Sequence, residues 1–172
     1  TIGFATHDLT PLWIQSTGES DRVGNSLKLT GYHMKIQLRG QIGCINARRL
    51  KLHIIKTTDT TTPLTNIIQD IFDINPLTGL VDYHSNWDYS DNKRVHKVIR
   101  TQKMYIKDVN LVFNDDRTPS LSDYNISIKL NDTLRFENNA ITSPNDARYF
   151  VVIFCDTGNH SATASTNAGC MV

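Results

Sequence analysis

At 172 residues the chain is long enough to bury a core in one domain without disulfide or metal staples. No window approaches the roughly 18 consecutive apolar residues of a membrane-spanning helix, and the opening "TIGFATHDLT" lacks the charged and apolar regions of a signal peptide. A soluble protein with no membrane partner is expected, and its formal net charge of +1 says little until the charges are placed along the chain.

They fall in blocks. Residues 1–21 hold three acids and no Lys or Arg; residues 22–56 hold eight Lys or Arg and no acid. Residues 57–92 hold six Asp and no base, residues 93–107 hold six Lys or Arg and no acid, and residues 108–172 carry eight acids against four bases. Such blocks arise when neighbouring strands share a solvated face, or when a protein keeps separate electropositive and electronegative surfaces for a polyanion or for copies of itself. Cys44, Cys155 and Cys170 are odd in number and contain no CxxC pair, which argues against a disulfide framework and a zinc site and for a reducing compartment. The sequons at Asn125, Asn131 and Asn159 read as chance matches without a secretory signal.

Period-two alternation dominates, so the class is all-β. In residues 27–39, Leu27 and Leu29 face the core and then Tyr32, Met34, Ile36 and Leu38 take over. That one-residue shift at Thr30 and Gly31 predicts a β-bulge. His33, Lys35, Gln37 and Arg39 share the opposite, polar face. The next strand repeats the scheme, with Leu50, Leu52 and Ile54 inward and Arg49, Lys51 and His53 outward. In "TTTPLTNIIQDIF", Thr62 is placed to cap a helix, Pro63 suits its first position, and Leu64, Ile67, Ile68 and Ile71 form a buried stripe. "NPLTGLVDYHSNWDYSDN" is dense in Pro, Gly, Asn and Asp and reads as a surface excursion. Strands follow at 94–100, at 103–113 and at 124–130, where Tyr124, Ile126, Ile128 and Leu130 point inward. The run "YFVVIFC" at 149–155 is apolar throughout, which marks a strand covered on both faces, central or in a subunit contact. The tail "SATASTNAGCMV" is a candidate last edge strand or arm. About eight strands, long loops and one short helix within a loop fit an eight-stranded antiparallel jelly-roll sandwich spanning residues 1–172 better than an immunoglobulin-like one.

The stretch "WIQSTGESDRVGNSLKL", continuing into "HMKIQLRG", resembles the opening of the jelly-roll coat proteins of small single-stranded DNA viruses that encode a rolling-circle replication protein, and of the satellite tobacco necrosis virus type. A short apolar run ending in Gln15 leads through Gly18 and Asp21 to Arg22, Gly24 and a long strand. A Thr-rich loop, the helix after Pro63, "INP", the basic stretch before "MYIKDVNL", and "RYFVVIFCDTG" follow in the same order. The family's Arg- and Lys-rich N-terminal arm is not seen in these residues, so the sequence is expected to be the ordered part of a longer product.

The resemblance implies a capsid protein that assembles with copies of itself into an icosahedral shell in the virion, formed inside the host cell, around a single-stranded DNA or RNA genome. A shell lining free of carboxylates gains by releasing counterions condensed on phosphate. His33, Lys35, Arg39, Arg48, Arg49, Lys51, His53, Lys93, Arg94 and Lys97 are the expected nucleic-acid contacts, with Arg100, Lys103 and Lys107 extending the second basic block. Alternatively, that block pairs across an interface with the Asp-rich residues 57–92. Trp13, Trp87, Tyr83 and Tyr89 are expected as core or interface anchors rather than base-stacking platforms. Arg22, with Asp21 and Glu19, is expected to fix a turn. No cofactor is expected; Asp115 with Asp116, and Asp88 with Asp91, are the candidates for an interface calcium ion.

The sequence contains no GxSxG, HExxH, P-loop or CxxC, and Glu19 and Glu137 are its only glutamates, so neither an enzyme nor a cupin-like metal site is expected. The rival expectation is a lectin-like β-sandwich in which Trp and Asp of residues 82–92 hold a sugar and a calcium ion.

Overall fold

The computed structural model describes residues 4–10, 24–39, 48–77, 79–87, 95–106, 121–137 and 143–156. Within them lie β1 (Phe4–Asp8), β2 (Ser26–Arg39), β3 (Arg48–Thr57), α1 (Leu64–Ile71), β4 (His96–Ile106), β5 (Leu121–Arg135) and β6 (Arg148–Cys155). One antiparallel sheet runs β1-β6-β3-β4, and β2 and β5 form a second, two-stranded ribbon. The pairing is nested: first strand with last, second with fifth, third with fourth, while the β3–β6 pair closes the larger sheet.

The two sheets face one another across a core that alternation had placed correctly. Ile36 and Leu38 of β2 and Ile126 and Ile128 of β5 pack against Leu50, Leu52 and Ile54 of β3, Met104 of β4, and Val151 and Ile153 of β6. Toward the far end of the ribbon, Leu29, Leu134, Phe136, Ala147 and Tyr149 form a second cluster. The expected change of phase in β2 is present as a register shift between Leu29 and Gly31. A Cβ on Gly31 would lie 2.2 Å from the carbonyl oxygen of Ile128, so the ribbon closes there only because residue 31 has no side chain.

Six strands, rather than eight, lie among the described residues. The expected strand residues Val109, Leu111 and Phe113, and the tail, lie outside them. The pieces expected at 94–100 and 103–113 are joined, as far as they are described, in one continuous strand, His96–Ile106, which absorbs an irregularity opposite Ile54 and Ile55. β6 is central, between β1 and β3, with Tyr149 through Phe154 all buried.

That two-sided burial needs a second layer, and the connection from β3 to β4 supplies it. Ile67, Ile68 and Ile71 of α1, together with Phe72 and Val81, pack onto Ile55, Phe150, Val152 and Phe154 on the outer face of the larger sheet. The expected cap is corrected: Pro63 is the N-cap, still extended at ψ 140°, so the helix begins one residue later and Thr62 makes no capping bond. The Asp59 carboxylate instead accepts from the Thr61 and Thr62 amides at 3.0 and 2.9 Å, bending the chain before the helix.

The expected surface excursion runs through turns and isolated bridges with Pro76, Leu77, Leu80 and His84 exposed, while Val81, Asp82 and Ser85 are buried and anchor it. After the helix, Phe72 pairs with Trp87 and Asn75 with Leu80. Asn75 organises the turn between, its side-chain oxygen accepting from the Leu77 amide and its carbonyl from the Gly79 amide. Gly79 takes φ +67°, a left-handed conformation open to glycine. Asp82, only 5% exposed, accepts from Asn75 Nδ2 and the His84 amide, and its own amide donates to Ser85 Oγ. The polar residues that read as loop composition are therefore spent folding a cover back onto the sheet.

Candidate nucleic-acid interface

Among the described residues, one sheet face carries no covering layer. On the outer side of the ribbon, Lys28, Thr30, His33, Lys35 and Gln37 of β2 lie beside Asp123, Asn125, Ser127, Lys129, Asn131, Thr133 and Arg135 of β5, and every one is exposed. Lys28 sits opposite Thr133, His33 opposite Ser127, Lys35 opposite Asn125 and Gln37 opposite Asp123. His33 Nδ1 lies 2.8 Å from Ser127 Oγ, and Gln37 Nε2 donates to Asp123 Oδ1 at 3.2 Å. Lys28, Lys35, Lys129 and Arg135 thus face one acid, which a neighbouring amide already engages.

At about 3.4 Å of rise per residue, outward side chains two apart along a strand stand roughly 7 Å from one another. The ribbon presents no aromatic ring outward among the described residues, because Tyr32 and Tyr124 pack toward the core. Among the described residues the face offers cations of the kind that attract phosphates and no aromatic stacking platform of the kind that holds bases.

Three of these cations were missed. Lys28 follows inward Leu27, Lys129 stands between inward Ile128 and Leu130, and Arg135 follows buried Leu134, so the same alternation that selected His33 and Lys35 would have found them.

The expected single lining, by contrast, is not assembled. β2 and β3 belong to different sheets packed face to face, so residues opposite the core on one point away from those on the other. Arg49, Lys51 and His53 occupy the outer face of the larger sheet, on the far side of the sandwich from His33 and Lys35. There the cover meets all three: the Arg49 guanidinium carbon lies 5.6 Å from the centre of the Tyr83 ring, and Lys51 and His53 are held more closely. Lys51 Nζ donates to the Tyr83 carbonyl at 2.6 Å and stands 4.8 Å from the centre of the Tyr83 ring. Burial, then the neighbouring Lys103 ammonium, lowers its pKa against the pull of Asp82. His53 is 8% exposed, with ring centroids 5.1 Å from Phe72 and 5.7 Å from Phe154. Burial, reinforced by Lys51, pushes its imidazole down to about 4, so it is neutral at pH 7.

Arg49 stays exposed, but its Nη2 and Nε donate to Asp156 Oδ2 at 2.5 and 2.9 Å. Arg39 and Arg48 lie at the end of β2 and the start of β3, with their side chains outside the described residues, as are Lys93, Arg94 and Lys107 entirely. Lys97 is exposed on β4, in register with Lys56 and so on that residue's side of the sheet. The calcium candidates Asp88, Asp91, Asp115 and Asp116 lie outside the described residues, and among those described no three His, Cys, Asp or Glu side chains converge.

Part of the block charge is consumed inside the fold. Asp132 of β5 accepts hydrogen bonds from Lys56 of β3 and from the Tyr149 hydroxyl of β6, tying ribbon to sheet. Burial pushes the Asp132 carboxyl up, but the bonds from Lys56 and Tyr149 and the Lys56 charge outweigh it and hold it below its ordinary value. Arg148 likewise reaches Asp8 at 3.0 Å.

No protein-family model matches this chain, and no curated protein is significantly similar to it.

Proposed function

We propose that the chain is the shell domain of a viral coat protein, a jelly-roll subunit that assembles with its own copies into an icosahedral particle around single-stranded nucleic acid. The nested pairing supports the roll, since winding one long antiparallel hairpin produces these pairs. Its work is association rather than turnover.

The observation that carries the reading is the exposed ribbon face, on which Lys28, Lys35, Lys129 and Arg135 share the surface with a single acid, Asp123, among the described residues. Turned toward the particle interior, it would release condensed counterions from packaged phosphate without regard to base sequence. Contacts between copies would take the exposed apolar groups, of which Leu77, 93% exposed, and Ile74, 60% exposed, are the most open. The lectin-like alternative has less support, because Trp87 packs edge-on against Phe72 at 5.6 Å and Asp82 is buried in its own turn.

Size-exclusion chromatography with light scattering and absorbance at 260 nm tests the proposal. Particles of megadalton size carrying nucleic acid are expected. The double change Lys35→Glu with Lys129→Glu should leave subunits folded while emptying the particles of most of that absorbance. A monomer or small oligomer free of nucleic acid would overturn the reading.

A further inference from the structure

We propose that residues 58–77 and 79–87 form an acid-released cover, held on the outer face of the larger sheet while His53 beneath it is neutral, and freed when that side chain takes up a proton. The geometry puts an ionisable ring where a charge has no counter-ion. His53 stands in β3 under the cover, between Phe72 of the cover and Phe154 of β6. Its Nδ1 lies 2.9 Å from Thr101 Oγ1 of β4, and its Nε2 is buried with no hydrogen-bond partner among the described residues.

The groups around it disfavour a cation. On its own strand the neighbouring outward charge is Lys51; β4 contributes the Thr101 hydroxyl and, opposite Lys51, the Lys103 ammonium; β6 contributes Val152, opposite His53, and Phe154, neither of them charged. The cover brings Phe72, the Tyr83 carbonyl that Lys51 occupies, and Asp82, whose charge acts on Lys51 and whose oxygens serve Asn75 and His84. A protonated His53 would therefore be a buried charge facing a like charge, and lifting the cover lets water reach it.

A second histidine sits where the cover joins the sheet. His96, 6% exposed, has Nδ1 2.8 Å from Thr57 Oγ1. Its pKa is lowered, burial outweighing the opposing pull of Asp59 and Asp70. Both rings thus favour the closed state when neutral.

The direction follows from linkage. Above pH 6.5, the ordinary imidazole value, closed and open states are both neutral at His53 and the cover feels no pH. Between 6.5 and about 4 the open state binds a proton that the closed state refuses, so closure weakens as pH falls. The shift from 6.5 to about 4 corresponds to roughly a 300-fold gain in the open-to-closed ratio once pH is below both values.

Circular dichroism of the whole chain from pH 7.5 to 3.5 tests the switch, with the near-ultraviolet band following Phe72, Tyr83 and Trp87 and the far-ultraviolet band following the strands. Near-ultraviolet signal should fall while far-ultraviolet signal is retained, and His53→Gln, which stays polar but cannot charge, should keep its near-ultraviolet signal to lower pH. Simultaneous loss of both bands, or an unchanged acid midpoint in His53→Gln, would overturn the proposal. Should His53→Gln not fold, His53→Phe provides the same comparison with the cavity filled.

Discussion

The two outer faces of this sandwich begin from almost the same sequence grammar and end in opposite states. In β2, "HMKIQL" sends His33, Lys35 and Gln37 away from the core into water; in β3, "RLKLHI" sends Arg49, Lys51 and His53 away from the core, and the last two come under another layer. The lesson is that alternation identifies which side chains turn their backs on the core, and nothing in the alternation of one strand says whether that back is wet. What decides it is the neighbour. β2 pairs with β5, whose outward residues are polar throughout, whereas β3 pairs with β6, whose outward residues Phe150, Val152 and Phe154 cannot be left in water. At about 25 cal/mol for each Å² of apolar surface removed from water, covering Phe150, Val152 and Phe154 favours docking of α1 and the following turns, and Lys51 and His53 come under the same layer.

The comparison breaks most readily at Phe154. Its ring is 1% exposed and meets Phe4, Phe72 and His53 at 5.8, 5.0 and 5.7 Å. Phe154→Ala should cost about 3–5 kcal/mol, the usual range for emptying a buried aromatic site, measured as a lower urea midpoint at unchanged slope. A loss under about 1 kcal/mol would mean that the outer layer contributes little and that both faces behave as wet ones.

A smaller effect is expected within the bare ribbon, and it comes from the backbone. Gly31→Ala would place a methyl group 2.2 Å from the Ile128 carbonyl oxygen, forcing β2 and β5 apart where the register shifts. A loss of about 1–3 kcal/mol is expected from such crowding, read from the same urea curves. The strain should stay local, since Ile36, Leu38 and Ile126 beyond the bulge pack against the larger sheet independently of it.

Much of this was legible in single strands. The inward sets of β2, β3 and β5, the phase change at Thr30 and Gly31, the Ile67, Ile68 and Ile71 stripe, and the central place of "YFVVIFC" all follow from periodicity. β1 was not legible. Past the partly buried Phe4 its residues are exposed, and it is a strand because its backbone pairs with Phe150 through Phe154. The assignment of β2 and β3 to different sheets was not legible either, because pairing is a property of two distant segments; with it went the expectation of one continuous basic lining. The signals that pointed to a covered face were Ile55 directly after Ile54, which breaks the alternation, and the need of β6 for a second apolar layer. Lys28, Lys129 and Arg135 required no pairing knowledge, only the alternation applied to every strand rather than to the most basic ones.

The smallest stability effect should come from the residues with the clearest functional role in the proposal. Lys35→Ala and Lys129→Ala remove exposed side chains for which no partner is seen among the described residues, so each should change stability by no more than about 0.5 kcal/mol. Their signature is electrostatic: for single-stranded oligonucleotide binding, each lysine removed should flatten the slope of log K against log salt by about 0.7. Lys51→Ala is the internal contrast. Its ammonium is already committed to the Tyr83 carbonyl under the cover, so its loss should lower the urea midpoint and leave the salt slope as it was. If Lys51→Ala flattened the slope as Lys35→Ala does, the cover would be open in solution, and the two faces would differ less than their packing implies.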